Sequence, residues 1–205
     1  MKTMPPRAIL VSDVPVAWGF QSSSEALARL FSAYPRERLR ILQTQGPLPP
    51  PDHRIDCAGY HNLAVPWDRA IRTRFWLSAS ILKVFFNKYV PRSLDQSIRT
   101  FSPDCVIAFA GGNGWILAQQ IAARLKIPLH LIVHDGPHFS EISLPVIGRM
   151  IRREYFNICR SAATRWSICA EIDRQILEMT GVAGFVLPPL RSAADKVPSV
   201  SKFPD

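Results

Sequence analysis

Residues 103–138 read PDCVIAFAGGNGWILAQQIAARLKIPLHLIVHDGPH. Short apolar runs at 105–110 and 129–133 are typical of buried strands, and an amphipathic segment at 115–125 between them predicts a helix. A strand, a helix and a second strand in this order fold as a right-handed crossover between two parallel strands. The stretch therefore predicts an α/β fold, in which ligands are expected at the carboxyl ends of the strands.

The rest of the chain continues the alternation of strands and helices. Further strands are predicted at 7–12, 39–43, 63–65, 164–169 and 185–187, and further helices from Ser22 onwards, at 148–161 and at 171–180. The predicted fold is an α/β three-layer sandwich with a mainly parallel sheet of about seven strands. We expect residues 1–190 to form one domain and 191–205 to be a linker or tail.

The composition favours a single domain whose cysteines are reduced. The chain has 205 residues, of which 47% are hydrophobic, and this supports one well-buried core. The four cysteines show no CxxC spacing, and Cys105 and Cys169 fall inside predicted strands, so no metal site is expected. The apolar run near the amino terminus ends at Ser12, too early for a signal peptide, which predicts a cytoplasmic protein.

The chain is strongly basic, with a formal net charge of +9 at pH 7. This charge indicates an anionic partner, but no nucleic-acid-binding motif is present, so we do not expect nucleic acid. Residues 67–99 predict a helical region that is largely apolar and aromatic with a basic stripe. It is either a core helix or a helix lying on the inner face of an anionic membrane. In the second case the contacts are Trp76, Lys83, Lys88 and Arg92.

Two groups of residues follow the strands of the 103–138 unit. The turn Gly111, Gly112, Asn113 and Gly114 precedes a helix, where backbone N–H groups attract anions, although it matches no nucleotide-binding motif. It is either a phosphate contact or a tight turn that allows close packing.

The second group is His134, Asp135 and His138. Here His134 is suited to hydrogen-bond a sugar hydroxyl or a phosphate, with Asp135 orienting it, and the alternative is a strand-end cap. The spacing of His134 and His138 would suit a metal on a helix, but Gly136 and Pro137 between them break any helix.

These features together resemble a known family. Residues 102–135, SPDCVIAFAGGNGWILAQQIAARLKIPLHLIVHD, and 168–190, ICAEIDRQILEMTGVAGFVLPPL, are similar to the N-terminal, acceptor-side domain of family 4 glycosyltransferases of the GT-B fold. The family pattern "PDvvhah…lA..lA..lgiPlv.t.HD" is matched by Pro103, Asp104, Ala118, Ala122, Ile127, Pro128, His134 and Asp135.

The resemblance implies a Rossmann-like sheet with the first strand beside the fourth. It implies transfer of a sugar, with retention, from a nucleotide-diphosphate sugar to a glycan or a lipid-linked acceptor, and no cofactor. By position, His134 and the loop with Trp18 and Gly19 would approach the donor sugar, although the family has two adjacent glycines in that loop.

The resemblance also implies a second, C-terminal domain that grips the nucleotide sugar and that residues 1–205 do not contain. We therefore expect the chain to be incomplete as an enzyme unless that domain is supplied in cis or in trans. The alternative is a non-catalytic truncated module that binds a membrane surface or a partner protein.

Overall fold

The computed structural model of the protein describes residues 4–20, 22–63, 88–135 and 145–187. In these ranges seven strands form one sheet in the order β3-β2-β1-β4-β5-β6-β7, and every neighbouring pair is parallel. The strands are β1 Ala8–Ser12, β2 Leu39–Gln43, β3 Gly59–Asn62, β4 Cys105–Phe109, β5 Leu129–Val133, β6 Thr164–Ser167 and β7 Phe185–Val186.

Five α-helices connect the strands of the described ranges. They are α1 Ser22–Phe31, α2 Arg92–Phe101, α3 Gly114–Leu125, α4 Pro145–Ser161 and α5 Ala170–Thr180. Pro91 precedes α2 and suits a helix start because its φ is fixed. Gly181, at a φ of +72°, closes α5 as the sequence predicted.

Two apolar layers lie on opposite faces of the sheet. Alternate residues of β1 belong to different clusters, Ile9 and Val11 to one and Ala8 and Leu10 to the other. The first cluster includes buried side chains of α2, α3, α4 and α5, and the second includes those of α1. Because both faces of β1 are covered, every side chain of this strand is buried, as in other parallel sheets.

The structure confirms the predicted fold class, a Rossmann-like α/β domain with a parallel sheet and with β1 beside β4. The predicted strands at 39–43 and 129–133 have the observed bounds. The third strand, predicted to begin at Leu63, is Gly59–Asn62 and ends before Leu63, while residues 64 and 65 of that prediction lie outside the described residues. An edge strand pairs on one side only and is half exposed, so its residues need not be apolar.

Of the helical region predicted over 67–99, residues 67–87 lie outside the described part of the chain. Helix α2 begins only at Arg92 and follows the non-helical residues 88–91. Trp76 and Lys83 lie outside the described residues. None of the helices in the described part of the chain has both the length and the apolarity needed to cross a bilayer.

Cys169 does not lie in a strand as predicted. Strand β6 ends at Ser167, and Cys169 is an exposed residue just before α5. Cys105 and Cys159 are buried, and burial raises the pKa of each thiol to about 11. Cys57 is half-buried, and burial again raises its pKa.

We predict that Cys169 alone reacts rapidly with a thiol reagent such as Ellman's reagent at about pH 8, because the reaction needs an accessible thiolate. Cys169→Ser should remove the fast phase in a stopped-flow trace, whereas Cys57→Ser should leave it unchanged. A fast phase that survives in Cys169→Ser would show that the end of β6 is not as described.

Candidate functional site

The carboxyl ends of β1 and β4 form the switch point of the sheet. From β1 the chain proceeds to β2 and β3 on one side, whereas β4 to β7 follow on the other. In open parallel sheets this divergence leaves a crevice in which ligands bind. The residues that follow these strands are Asp13 after β1, Thr44 and Gln45 after β2, Gly111 to Gly114 after β4, and His134 after β5.

A carboxylate occupies the floor of this crevice. Asp13 is 7% exposed, and its Oδ1 accepts hydrogen bonds from Thr44 Oγ1 at 2.6 Å and from Gln45 Nε2 at 3.0 Å. The backbone N–H of Gly114 donates to both carboxylate oxygens, at 3.0 Å and 3.1 Å. Gly114 is the first residue of α3, so Asp13 supplies the negative charge that a helix N-terminus favours.

The glycine turn is shaped to let Asp13 approach. A Cβ atom at Gly112 would lie 2.9 Å from Asp13 Cγ, from Asp13 Oδ2 and from Gln45 Nε2. A Cβ at Gly114 would lie 3.0 Å from Thr44 Oγ1 and 3.1 Å from Asp13 Oδ1. Of the two roles considered for this turn, the structure therefore shows close packing, and the residue packed against the turn is Asp13. The phosphate role stays a prediction, and it has to be reconciled with a carboxylate already bound at the Gly114 N–H.

The loop after β1 turns towards the segment between β2 and β3. The N–H of Trp18 donates to the His53 carbonyl at 2.8 Å, and His53 Nδ1 lies 2.8 Å from the Trp18 carbonyl oxygen. Gly19 has a φ of +74°, a conformation that favours glycine, and a Cβ there would lie 3.2 Å from His53 Nδ1. The predicted donor-sugar contacts Trp18 and Gly19 are thus held by His53.

Tyr60 of β3 secures the start of the same loop. Its hydroxyl accepts from the N–H of Val16 at 2.8 Å and lies 3.2 Å from Gln43 Oε1, to which it donates. Burial raises the pKa of Tyr60 to about 12, so the hydroxyl stays protonated and remains a donor.

His134 and Asp135 lie at the carboxyl end of β5, next to the switch point. His134 Nδ1 is 3.1 Å from Asp135 Oδ1, and the His134 ring packs against Phe109 with 5.3 Å between ring centroids. The His134 side chain is 27% exposed and that of Asp135 is 54% exposed. A Cβ at Gly111 would lie 3.0 Å from the Phe109 ring and 3.9 Å from Asp135 Oδ2, so the glycine turn borders this pair.

The contact with Asp135 bears on which nitrogen of the His134 ring carries the proton. In the neutral ring, a carboxylate at Nδ1 favours the tautomer in which Nδ1 carries the proton, and Nε2 of that tautomer is an acceptor. Such a nitrogen is suited to accept a hydrogen bond from a sugar hydroxyl. His138, the third member of the predicted cluster, lies outside the described residues, and in the ranges that are described no three potential metal ligands come together.

The predicted membrane contacts Lys88 and Arg92 lie on the face of the sheet covered by α4. Lys88 Nζ forms an ion pair with Glu154 Oε2 of α4 at 3.2 Å. Arg92 is exposed at the start of α2. Their contact with a membrane stays a prediction.

A buried ion pair that the sequence did not reveal joins β6 to α5. Arg165 is almost fully buried, and its Nη2 donates to Asp173 Oδ1 and to the Val182 carbonyl, both at 2.9 Å. A Cβ at Gly184 would lie 2.5 Å from Asp173 Oδ1. The pair joins α5 to β6, which is separated from β4 by β5, so we assign it a structural role.

Asp13, Thr44 and Gln45 are site residues that were not predicted from the sequence. One signal was present, since Asp13 is the first charged residue after β1, just as His134 follows β5. The same rule that selected His134, a polar residue at the carboxyl end of a buried strand, also applies to Asp13. The hydrogen bond that gives Asp13 its role spans 101 residues and leaves no local pattern.

The fold and the site define a Rossmann-like α/β domain with a polar crevice at its switch point. Neither a protein-family model nor a curated protein matches this chain. The finer assignment to a glycosyltransferase family therefore belongs to the proposal below.

We predict that Asp13→Ala lowers the free energy of unfolding by about 3 kcal/mol, because it leaves three donors without their acceptor. Asp13→Asn keeps one acceptor oxygen but loses the charge at the helix N-terminus, and should cost about 1.5 kcal/mol. Urea denaturation measures both. The control is Asp52→Ala, an exposed aspartate, which should stay within about 0.5 kcal/mol of the unsubstituted protein. Equal losses for Asp13→Ala and Asp52→Ala would contradict the geometry.

Two glycine variants test whether Asp13 packs closely against the turn. Gly112→Ala should cost about 2 kcal/mol, since its Cβ overlaps Asp13 and Gln45 and the turn must shift. Gly59→Ala is the matched control, because a Cβ there would lie 3.3 Å from His61 Nε2 and 3.4 Å from Arg40 Nε, farther than the 2.9 Å found at Gly112. If thermal unfolding shifts equally for the two variants, the turn is not packed as described.

Proposed function

We propose that the chain is the acceptor-side domain of a two-domain glycosyltransferase. The reaction would transfer a sugar from a nucleotide-diphosphate sugar to a glycan or a lipid-linked acceptor. The observation that carries the proposal is the arrangement at the switch point, where a helix N-terminus closed by Asp13 lies beside the partly exposed pair of His134 and Asp135. The sequence resemblance to family 4 glycosyltransferases supports the same assignment.

The N-terminus of α3 is already occupied by the Asp13 carboxylate, and this favours the acceptor-binding domain over the donor-binding domain as the assignment for this chain. A nucleotide diphosphate is usually held by free N–H groups at such a terminus. Here the Gly114 N–H already bonds a carboxylate, and a second anion beside Asp13 would be repelled. We therefore expect the diphosphate to bind to another domain, in cis or in trans. The resemblance implies the same, because in that family the C-terminal domain grips the nucleotide sugar.

The pair of His134 and Asp135 is suited to bind a sugar hydroxyl on one side of the cleft. Phe109 supports one side of the His134 ring, and Asp135 orients it, so Nε2 keeps a defined position. In the proposed reaction this nitrogen accepts a hydrogen bond from a hydroxyl of the donor sugar. The glycine turn and the Gly19 loop would line the cleft on the other side of β4.

The proposal is tested by measuring transfer with a panel of nucleotide sugars and acceptors. The chain is used with a donor-binding GT-B domain, joined in one polypeptide or added separately, and without it. Transfer that needs both domains supports the proposal. The absence of binding and of transfer in every combination would overturn it and would favour the alternative, a non-catalytic module.

We predict that His134→Ala lowers kcat for transfer about 100-fold, the usual effect of removing one well-placed polar contact to a transition state. Asp135→Asn should cause a smaller loss, about tenfold, because it only weakens the orientation of the ring. His61→Gln, on the edge strand β3, is the matched control and should keep the unsubstituted rate. A His134→Ala variant with full activity would exclude His134 from the site.

A further inference from the structure

A proline-rich segment is exposed in the connection from β2 to β3. Residues 46–53 read GPLPPPDH, and each of Leu48, Pro49 and Pro50 precedes a proline, which favours extended backbone. Proline fixes its own φ near about −65°. The observed φ of −53° and ψ of 147° at Pro50 are those of a polyproline II helix. Residues three apart share one ridge of such a helix, so Pro47 and Pro50 form a ridge. Both are exposed and Leu48 is 37% exposed, while Pro49 is buried.

Two side chains from outside the segment hold it in place. Gln43 Nε2 donates a hydrogen bond to the Pro47 carbonyl at 2.9 Å, and Arg54 Nε donates to the Pro49 carbonyl at 2.7 Å. A polyproline II helix has no internal hydrogen bonds, so contacts of this kind supply its order. A segment that is ordered before it binds loses little conformational entropy when it docks, and the ridge is therefore prepared for a partner.

Two aromatic side chains are exposed beside the ridge. Trp18 is 39% exposed and Phe20 is 41% exposed. Both belong to the loop after β1, and the Phe20 ring meets the His53 ring edge to face, with 5.7 Å between ring centroids. The N–H of His53 donates to the Pro50 carbonyl at 3.1 Å, so His53 joins the aromatic loop to the ridge. We call Trp18, Phe20, Pro47, Leu48 and Pro50 the proline-aromatic surface.

The stretches that carry the proline-aromatic surface contain no basic residue. None of the 25 lysines and arginines falls in 13–28 or in 44–53. Arg54, which follows the second stretch, is engaged with the Pro49 carbonyl. An anionic partner therefore gains little here. Two copies of a chain with a net charge of +9 repel each other least where basic side chains are absent, and this makes a second copy a suitable partner.

We propose that the proline-aromatic surface is the interface of a two-fold symmetric dimer of this chain. Polyproline ridges bind surfaces lined by aromatic side chains, and here one chain carries both groups side by side. A two-fold axis passing near His53 would set the ridge of each copy against the aromatic side chains of the other. A foreign aromatic groove would use only the ridge, and a sugar ring would use only the aromatic side chains, whereas a second copy uses both.

The test is sedimentation equilibrium of the protein between about 1 μM and 1 mM, where we expect a monomer and dimer in equilibrium because a small interface binds weakly. Trp18→Ser with Phe20→Ser should weaken dimerisation about a hundredfold, since aromatic side chains at the centre of an interface contribute most to binding. The matched control is Tyr89→Ser with Met179→Ser, which removes side chains 60% and 47% exposed elsewhere and should change the dissociation constant less than about twofold.

Mixing two variants tests the two-fold arrangement. Leu48→Ser with Pro50→Ala removes the ridge, keeps the aromatic side chains, and should by itself dimerise about thirtyfold more weakly. Mixed with the aromatic variant, it should form a heterodimer at least about tenfold tighter than either homodimer, because one intact ridge then meets one intact aromatic pair. Circular dichroism verifies that each variant folds, and Leu48→Ser alone, which keeps every proline, replaces the double variant if that does not fold.

Three results would overturn the proposal: a monomer at every concentration, equal losses for the aromatic variant and the control, or no recovery when the two variants are mixed. A monomer that binds an oligosaccharide through Trp18 would assign the aromatic side chains to a sugar instead. Dimerisation is measured without sugar transfer, so a protein that dimerises through this surface but transfers no sugar would support the interface and count against the proposed function.

Discussion

The hydrogen bond from the Gly114 N–H to the Asp13 carboxylate holds the switch point together. It joins the end of β1 to the start of α3, and Thr44 and Gln45 bring the end of β2 to the same carboxylate. Three segments that are distant in the sequence thus share one buried acceptor. Because a buried charge is tolerated only when it is well bonded, the contact fixes the position of all three segments. The shape of the crevice depends on this arrangement.

The same contact sets the electrostatics of the crevice. The chain carries a net charge of +9, yet the crevice has Asp13 on its floor and Asp135 on its wall. Carboxylates at these two positions suit a neutral, hydroxyl-rich ligand better than an anion. The sugar of the proposed reaction is such a ligand. A diphosphate at the Gly114 N–H would be repelled by Asp13, which already accepts from that group.

The sequence predicted the central strands well because a parallel strand buried on both faces reads as a continuous apolar run. This signal identified Leu39–Gln43 and Leu129–Val133. The edge strand Gly59–Asn62 has no such run, because a strand with one neighbour is stabilised by pairing and by contacts such as the Tyr60 hydroxyl. Asp13 was missed for a different reason. Its partners lie 31 to 101 residues away, so only the folded chain brings them together.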